Sequence, residues 1–198
     1  MGDQMVHVKA PKLLLSALAA LLCAGLLVPA TGTAAKRPKA RAASVCTNTD
    51  LMPAAGNLPV IRAAVLCLHN KERTQRGLPP LKENAKLRKA AKGHSDNMVA
   101  KHFFDHTAPD GSDMVDRILG TGYASGQGWS LGENIAWGTG NLATAREIHD
   151  AWMHSPGHKA NILRRQFREI GIGIAVGAPA DAGGLDGATY TADFGVRR

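Results

Sequence analysis

Apolar side chains recur at helical spacing in four segments of the chain, which predicts four helices. Each segment begins at a residue whose side chain can accept hydrogen bonds from the first helical turn. The four starts are Asn57, Asn84, Asp113 and, for the last helix, Asn141 or Thr144. Glycine, proline or a loss of apolar spacing then ends each helix: at Gly77, near His102, at Gly120 and after Ser155.

Two later segments alternate apolar with small or polar residues, which predicts strands with one buried face. They cover residues 170–176 and 189–196, and residues 177–187 fit a hairpin loop between them. Residues 120–132 contain five glycines, so this stretch is expected to be irregular. Helices thus come first and strands mostly last, which differs from the βαβ alternation of a nucleotide-binding fold.

The first 35 residues have the pattern of a secretory signal peptide. Lys9 and Lys12 precede an apolar run of 16 residues, and small residues follow as far as Ala35, where we expect cleavage. The run is shorter than the roughly 18 residues of a membrane span, so no span is expected after cleavage. A retained N-terminal anchor is the alternative. The mature protein is therefore predicted to be secreted.

The remaining chain divides into a basic flexible leader, residues 36–57, and one folded domain, residues 58–198. The 198-residue chain has a net charge of +8, and removal of residues 1–35 leaves +7. This balance favours anionic partners. No nucleic acid is expected, because the basic cluster at residues 36–41 has no aromatic residue to stack on bases.

Two cysteines, Cys46 and Cys67, remain after the expected cleavage. An even pair in an exported protein favours one disulfide over two separate thiols.

Short motifs along the domain resemble, in order, those of the CAP superfamily, which groups cysteine-rich secretory proteins, antigen 5 allergens and plant pathogenesis-related proteins. The bacterial secreted, SCP-like branch is the more similar. The motifs include Asn70-Lys71-Glu72-Arg73, Phe104-Asp105-His106, Gly132-Glu133-Asn134-Ile135, Ser155-Pro156-Gly157-His158 and Tyr190-Thr191-Ala192-Asp193-Phe194-Gly195. The resemblance implies an α+β fold, a three-layer α-β-α sandwich with a central antiparallel sheet and an open cleft.

Many eukaryotic members of this superfamily hold two histidines and two acidic residues in the cleft, and some bind zinc there. His106 and Glu133 match the first histidine and the first glutamate. The other two positions carry Ser155 and Thr189 instead. We expect His158 to take the place of the missing histidine, because it follows a sharp turn, with His154 as the second candidate.

If His106, Glu133 and His158 converge, they can hold zinc or another divalent cation and leave a position open for water. Such a site would support a metal-assisted hydrolase with these three residues as its catalytic groups. The alternative is that Glu133 only hydrogen-bonds and orients His106, without a metal.

The leading expectation is a monomeric extracellular binding module for lipids, sterols or anionic cell-envelope components. The resemblance supplies the lipid and sterol ligands, whereas the charge supplies the anionic partner. Metal-assisted hydrolysis is the competing hypothesis, and a binding role is favoured over an enzymatic one.

Overall fold

The computed structural model describes residues 45–125 and 128–197, which belong to one structural unit, residues 41–198. The predicted signal peptide and residues 36–44 of the leader lie outside the described residues. Within these described residues, five helices and four strands follow in the order α1 (Leu58–Gln75), β1 (Lys82–Glu83), α2 (Ala85–Lys101), α3 (Met114–Gly120), β2 (Trp129–Thr139), α4 (Ala145–His154), α5 (Pro156–Leu163), β3 (Glu169–Val176) and β4 (Gly187–Arg197). No helix in the described residues is long and apolar enough to cross a bilayer.

Three of the four helix starts that the sequence predicts are confirmed by their capping contacts. The exception is Asn57, which precedes α1 as predicted, but its side chain accepts from the Ala54 amide and not from the first helical turn. The Asn84 side chain accepts hydrogen bonds from the first-turn amides of α2. Asp113 and Asp116 form a reciprocal capping box at the start of α3. Thr144 caps α4, and a 3₁₀ turn, Gly140–Ala143, precedes it. Of the two predicted starts of this helix, Asn141 and Thr144, Thr144 is therefore the N-cap.

The central sheet has the strand order β1-β3-β4-β2. β4 lies between β3 and β2 and is antiparallel to both, which confirms the predicted antiparallel sheet for the three long strands. β1 makes the sheet mixed, because it pairs in parallel with the first two residues of β3. α2 covers one face, whereas α1, α4 and α5 enclose the main core on the other.

Two local predictions are wrong. In both, glycine or proline was taken to exclude regular secondary structure. Residues 129–132 belong to β2, although they fall in the glycine-rich stretch. Gly132 is suited to the strand because Phe167 and Asn161 pack against its backbone. Pro156 does end α4, but it also begins α5, since proline is tolerated in a first helical turn.

α2 lies directly on β3 because two glycines remove the side chains between them. A Cβ atom added to Gly171 would stand 2.0 Å from the Arg88 nitrogen, and one on Gly173 would stand 2.2 Å from the Ala91 carbonyl carbon. Ser95 on α2 donates a hydrogen bond to Thr191 Oγ1 on β4 at 2.9 Å. This close approach fixes α2 over the central strands.

α1 is tied to the loops around it by two polar side chains, those of Asn70 and Arg73. Asn70 bonds both the amide and the carbonyl of Leu81. Arg73 is fully buried, and its guanidinium donates to backbone carbonyls that include Pro79 and Phe167. A buried charge requires such hydrogen bonds, so Arg73 holds these loops in one arrangement.

Residues 45–57, which the sequence assigns to the leader, are attached to the domain. Cys46 and Cys67 form the predicted disulfide, which joins this segment to α1. Arg146 on α4 donates hydrogen bonds to the side chains of Thr49 and Asp50. The segment therefore packs on the domain through a covalent link and a charged pair.

Candidate functional site

His106 and Glu133 meet at the edge of the sheet, as the resemblance predicts. His106 lies in the loop that follows α2, where His102 adopts a left-handed conformation and turns the chain. Glu133 lies on the edge strand β2. The His106 Nδ1–H donates to Glu133 Oε1 at 2.7 Å. The Glu133 side chain is 2% exposed, whereas the His106 side chain is 54% exposed. The buried carboxylate therefore holds an imidazole ring that faces solvent.

Arg117 on α3 is the second partner of Glu133, and the sequence analysis did not single it out. Its guanidinium donates to Glu133 Oε2 at 2.7 Å and to the His106 carbonyl oxygen at 3.0 Å. The Arg117 side chain is 11% exposed. Both oxygens of Glu133 are thus engaged, and Arg117 holds the backbone of His106 as well as its partner.

The charges in this pair shift both pKa values in the directions that the contacts dictate. Burial alone would raise the pKa of Glu133, but the hydrogen bond from His106 and the charge of Arg117 lower it below its usual range. The hydrogen bond to Glu133 raises the pKa of His106 against the opposing effect of burial. Glu133 is therefore an anion at neutral pH, and the imidazolium form of His106 is favoured.

Asp193 lies directly opposite Glu133 in the pairing of β2 with β4, and it too was not assigned a role from sequence. It is fully buried, and no donor among the described residues reaches either of its carboxyl oxygens. Burial and the adjacent Glu133 charge raise the pKa of Asp193 well above its usual range. The neutral acid form of Asp193 is therefore favoured.

His158 lies in the first turn of α5, beside the same edge strand. Its carbonyl accepts a hydrogen bond from the Asn134 side chain on β2, and its Nδ1 lies 2.8 Å from Ser155 Oγ. Burial lowers the pKa of His158, and the charge of nearby His106 lowers it further. Asn161 strengthens this placement by donating to the Glu133 carbonyl. His158 is thus a neutral neighbour of His106.

Two other histidines have local roles. The His94 Nε2–H donates to the Asp105 carbonyl at 2.9 Å from a fully buried position on α2, so His94 links this helix to the loop that follows it. His154, the second candidate for the missing histidine, lies at the exposed end of α4. Its Nδ1 contacts the Asp150 carbonyl one turn earlier.

The predicted zinc ligands do not form a three-ligand set. Glu133 has both oxygens bound to His106 and Arg117, and His106 uses Nδ1 for that contact. Within residues 45–125 and 128–197, no group of three or more histidine, cysteine, aspartate or glutamate side chains is placed to hold a metal ion. As arranged, Glu133 orients His106. Zinc binding stays a prediction, which calorimetric titration of the wild type, His106→Ala and His158→Ala tests.

A shallow cleft of about 260 Å³ opens in front of the His106–Glu133 pair. One wall is the first turn of α3, which contributes the apolar side chains of Met114 and Val115. Asp113 and Thr107 complete the rim. The cleft therefore combines a polar anchor with an apolar wall, which is the general character of small-molecule sites.

The three-layer sandwich is the fold of SCP-like domains, and in this chain a histidine–glutamate pair lies at the edge of its sheet. The chain belongs to the cysteine-rich secretory protein family, CAP, whose family model matches residues 66–192.

Bacterial proteins are among the chains to which this one is similar. It is 36% identical over 135 residues to YkwD of Bacillus subtilis (strain 168), a match that covers 68% of this chain and 50% of YkwD. The chain thus spans about half the length of that relative.

Two solved structures share the fold. One is an extracellular SCP-domain protein from Bacillus anthracis str. Ames, at 24% identity and a TM-score of 0.54, covering 74% of this chain and 45% of that one. The other is an outer surface protein from Borrelia burgdorferi, at 19% identity and a TM-score of 0.54, covering 74% of this chain and 97% of that one.

Proposed function

We propose that the protein is an extracellular binding module whose cleft takes an amphipathic cell-envelope ligand, such as a lipid or a sterol derivative. The observation that carries this proposal is the arrangement at the cleft mouth. His106 is held by Glu133 and Arg117 and faces solvent, while Met114 and Val115 form an apolar wall beside it. A fixed polar group next to an apolar surface suits a ligand that has both characters.

The His106 imidazolium favours an anionic head group, whereas the Asp113 carboxylate on the rim opposes one. Arg117 and Glu133 neutralise each other, and the raised pKa of Asp193 favours its neutral form. Because the pKa of His106 is raised, its imidazolium form is available near neutral pH and can donate from Nε2. A carboxylate or phosphate head at the imidazolium would gain a charge-assisted hydrogen bond.

The size of the cleft limits how much of a ligand it holds. Its volume of about 260 Å³ lies just below the roughly 300–1,000 Å³ of typical ligand pockets. We therefore infer that the cleft holds the head and the first part of a chain or ring, while the rest of the ligand stays outside. This mode of binding suits attachment to components of a cell surface.

Two observations support an extracellular location. The Cys46–Cys67 disulfide belongs to an oxidising compartment, and the N-terminal sequence has the pattern of a signal peptide. A solved structure of similar fold is also described as extracellular.

The test uses laurate as the probe and isothermal titration calorimetry at pH 6.5. We expect saturable binding with a stoichiometry of about one, weakened at least about tenfold in His106→Ala and in Met114→Ser. His154→Ala is the matched control, because His154 is an exposed histidine bonded only to its own helix. Dodecyltrimethylammonium, with the same chain and a cationic head, should bind much more weakly. The proposal would be contradicted if both probes bound equally well, or if His106→Ala bound laurate as tightly as the wild type.

A further inference from the structure

One edge of the central sheet is left open in the described residues. β1 pairs only through Lys82 with Glu169 and through Glu83 with Ile170. β3 continues to Val176, and no described strand pairs with its outer edge beyond Ile170. An unpaired strand edge is a template for another extended chain.

The peptide groups along this open edge point outward in a regular pattern. The Asn84 amide donates to the Ile170 carbonyl, so the Ile170 peptide groups face the side of β1. Strand geometry repeats every two residues, so the peptide groups of Ile172 and Ile174 face the same side. They provide donors and acceptors in the register that a further strand would use.

The open edge lies in a groove of about 230 Å³ between α1 and α2. Ile172 and Ile174 line the groove, and its flanks carry four basic side chains: Arg62, Arg88, Lys89 and Lys92. Two acidic side chains offset them in part, since Glu83 pairs with Arg62 and Arg88, and Asp96 pairs with Lys92. The groove therefore keeps an excess of positive charge.

One donor in this groove is unused. The Arg62 Nε is buried and has no hydrogen-bond partner among the described residues, because Glu83 lies 3.7 Å away. A buried unpaired donor is unfavourable, so an acceptor that reaches it would be stabilised. A carboxylate on an incoming chain would supply this acceptor.

We propose that this groove binds an extended acidic peptide of a partner protein, which adds to β3 as a strand. Backbone hydrogen bonds to Ile172 and Ile174 would give register, and acidic side chains would pair with the basic flanks. The charge rules out two other occupants. The basic cluster of this chain at residues 36–41 and the same edge of a second copy would both be repelled by the groove.

Binding of such a peptide requires side chains over the edge to move, because Ile172 and Ile174 are each 1% exposed. The groove is flanked by the long side chains of Arg88 and Lys92, which are 41% and 45% exposed. Charged side chains over an edge also prevent pairing between identical chains. The same charges thus select against self-association and in favour of an acidic partner.

The experiment titrates the peptide Glu-Val-Glu-Val-Glu-Val into the folded protein and follows backbone amides by NMR. We expect saturable binding, with slowed amide hydrogen exchange at Ile172 and Ile174. A version of the peptide N-methylated at alternate residues keeps its charge but loses backbone donors, and it should bind about tenfold more weakly or worse. The Lys89→Glu/Lys92→Glu variant should lose binding. The Lys101→Glu/Lys159→Glu variant, with the same charge change at other positions, should retain it.

Three results would overturn the proposal. The first is an absence of binding by the wild type. The second is equal binding of the N-methylated peptide, which would indicate attraction of charge without strand addition. The third is binding of inorganic polyphosphate as tight as that of the peptide, with no protection at Ile172 or Ile174, which would show a general polyanion surface. These outcomes are separate from the laurate test, because the groove and the His106 cleft are lined by different residues.

Discussion

Replacing Glu133 by glutamine tests the contacts that organise the cleft. The substitution keeps the size of the side chain and removes the negative charge that faces both Arg117 and His106. His106 and Arg117 donate to different oxygens of Glu133, and glutamine replaces one of these oxygens by an NH2 group that would face a donor, so one of the two hydrogen bonds is lost. We therefore expect the side chain of Arg117 to lose its counter-ion.

The expected loss of stability follows from how deeply this pair is buried. The Glu133 and Arg117 side chains are 2% and 11% exposed, and removing one partner of a buried pair costs about 3–5 kcal/mol. Arg117 keeps its hydrogen bonds to the carbonyls of His106 and Ser112, which places the estimate at about 3 kcal/mol. We add no further free energy of unfolding for the hydrogen bond between Glu133 and His106, because the His106 ring is more than half exposed.

The assay is urea unfolding of the wild type and Glu133→Gln at pH 7, with Glu83→Gln as the matched control. Glu83 also pairs with two arginines, but its side chain is 38% exposed. A surface pair contributes only about 0–1 kcal/mol, so the control should stay within that range. If Glu133→Gln lowers the free energy of unfolding by no more than Glu83→Gln does, the reasoning from burial is refuted.

The pH dependence supplies a second measurement on the same variants. Because the folded-state pKa of His106 is raised, its stabilisation is present below the unfolded value and disappears as pH rises through the folded value. Because the pKa of Glu133 is lowered, its stabilisation is present above the unfolded value and disappears as pH falls through the folded value. The stability difference between wild type and Glu133→Gln should therefore be greatest in mildly acidic solution. In the variant, the pKa of His106 should fall.

Three further predictions concern the scaffold around the site. Asp193→Asn should change the free energy of unfolding by less than about 1 kcal/mol and leave the His106 titration unchanged. Asp193→Ala should lower the free energy of unfolding by about 1–3 kcal/mol. A lowered His106 pKa in Asp193→Asn would mean that Asp193 is ionised. Reducing the Cys46–Cys67 disulfide, which spans 21 residues, should cost about 3 kcal/mol in urea unfolding, and an unchanged midpoint would contradict this. Gly173→Ala should destabilise the protein by about 1–3 kcal/mol, because its Cβ would meet α2. Gly93→Ala should stabilise it slightly, because nothing lies within 4 Å of the added Cβ and alanine is the better helix former. Equal changes in melting temperature for the two variants would contradict the close packing of α2 on β3.

Helices were predictable because their signals are local. The caps at Asn84, Asp113 and Thr144 and the spacing of apolar side chains are all contained in a few consecutive residues. β2 was not predictable in this way, because Glu133 occupies a buried position on it and interrupts the apolar alternation. The partners that make this position favourable come from other segments of the chain.

The site was predictable only as far as the family motifs reach. His106 and Glu133 were assigned by resemblance, and their contact is confirmed. Arg117 was not assigned a role from sequence, because its role depends on how α3 packs beside β2. Asp193 lies in a motif that had attracted attention, but its neutral state follows from burial and from pairing with Glu133. Such cross-strand pairing cannot be deduced from local sequence.

The most direct test of the proposed cleft compares two titrations of the wild-type protein between pH 5 and pH 9. One is the affinity for laurate by calorimetry, and the other is the ionisation of His106 by NMR. Because the His106 imidazolium is the proposed anchor of the head group, laurate affinity should fall as pH rises, with its midpoint at the pKa of His106. Laurate affinity that does not change as His106 loses its proton would contradict the account.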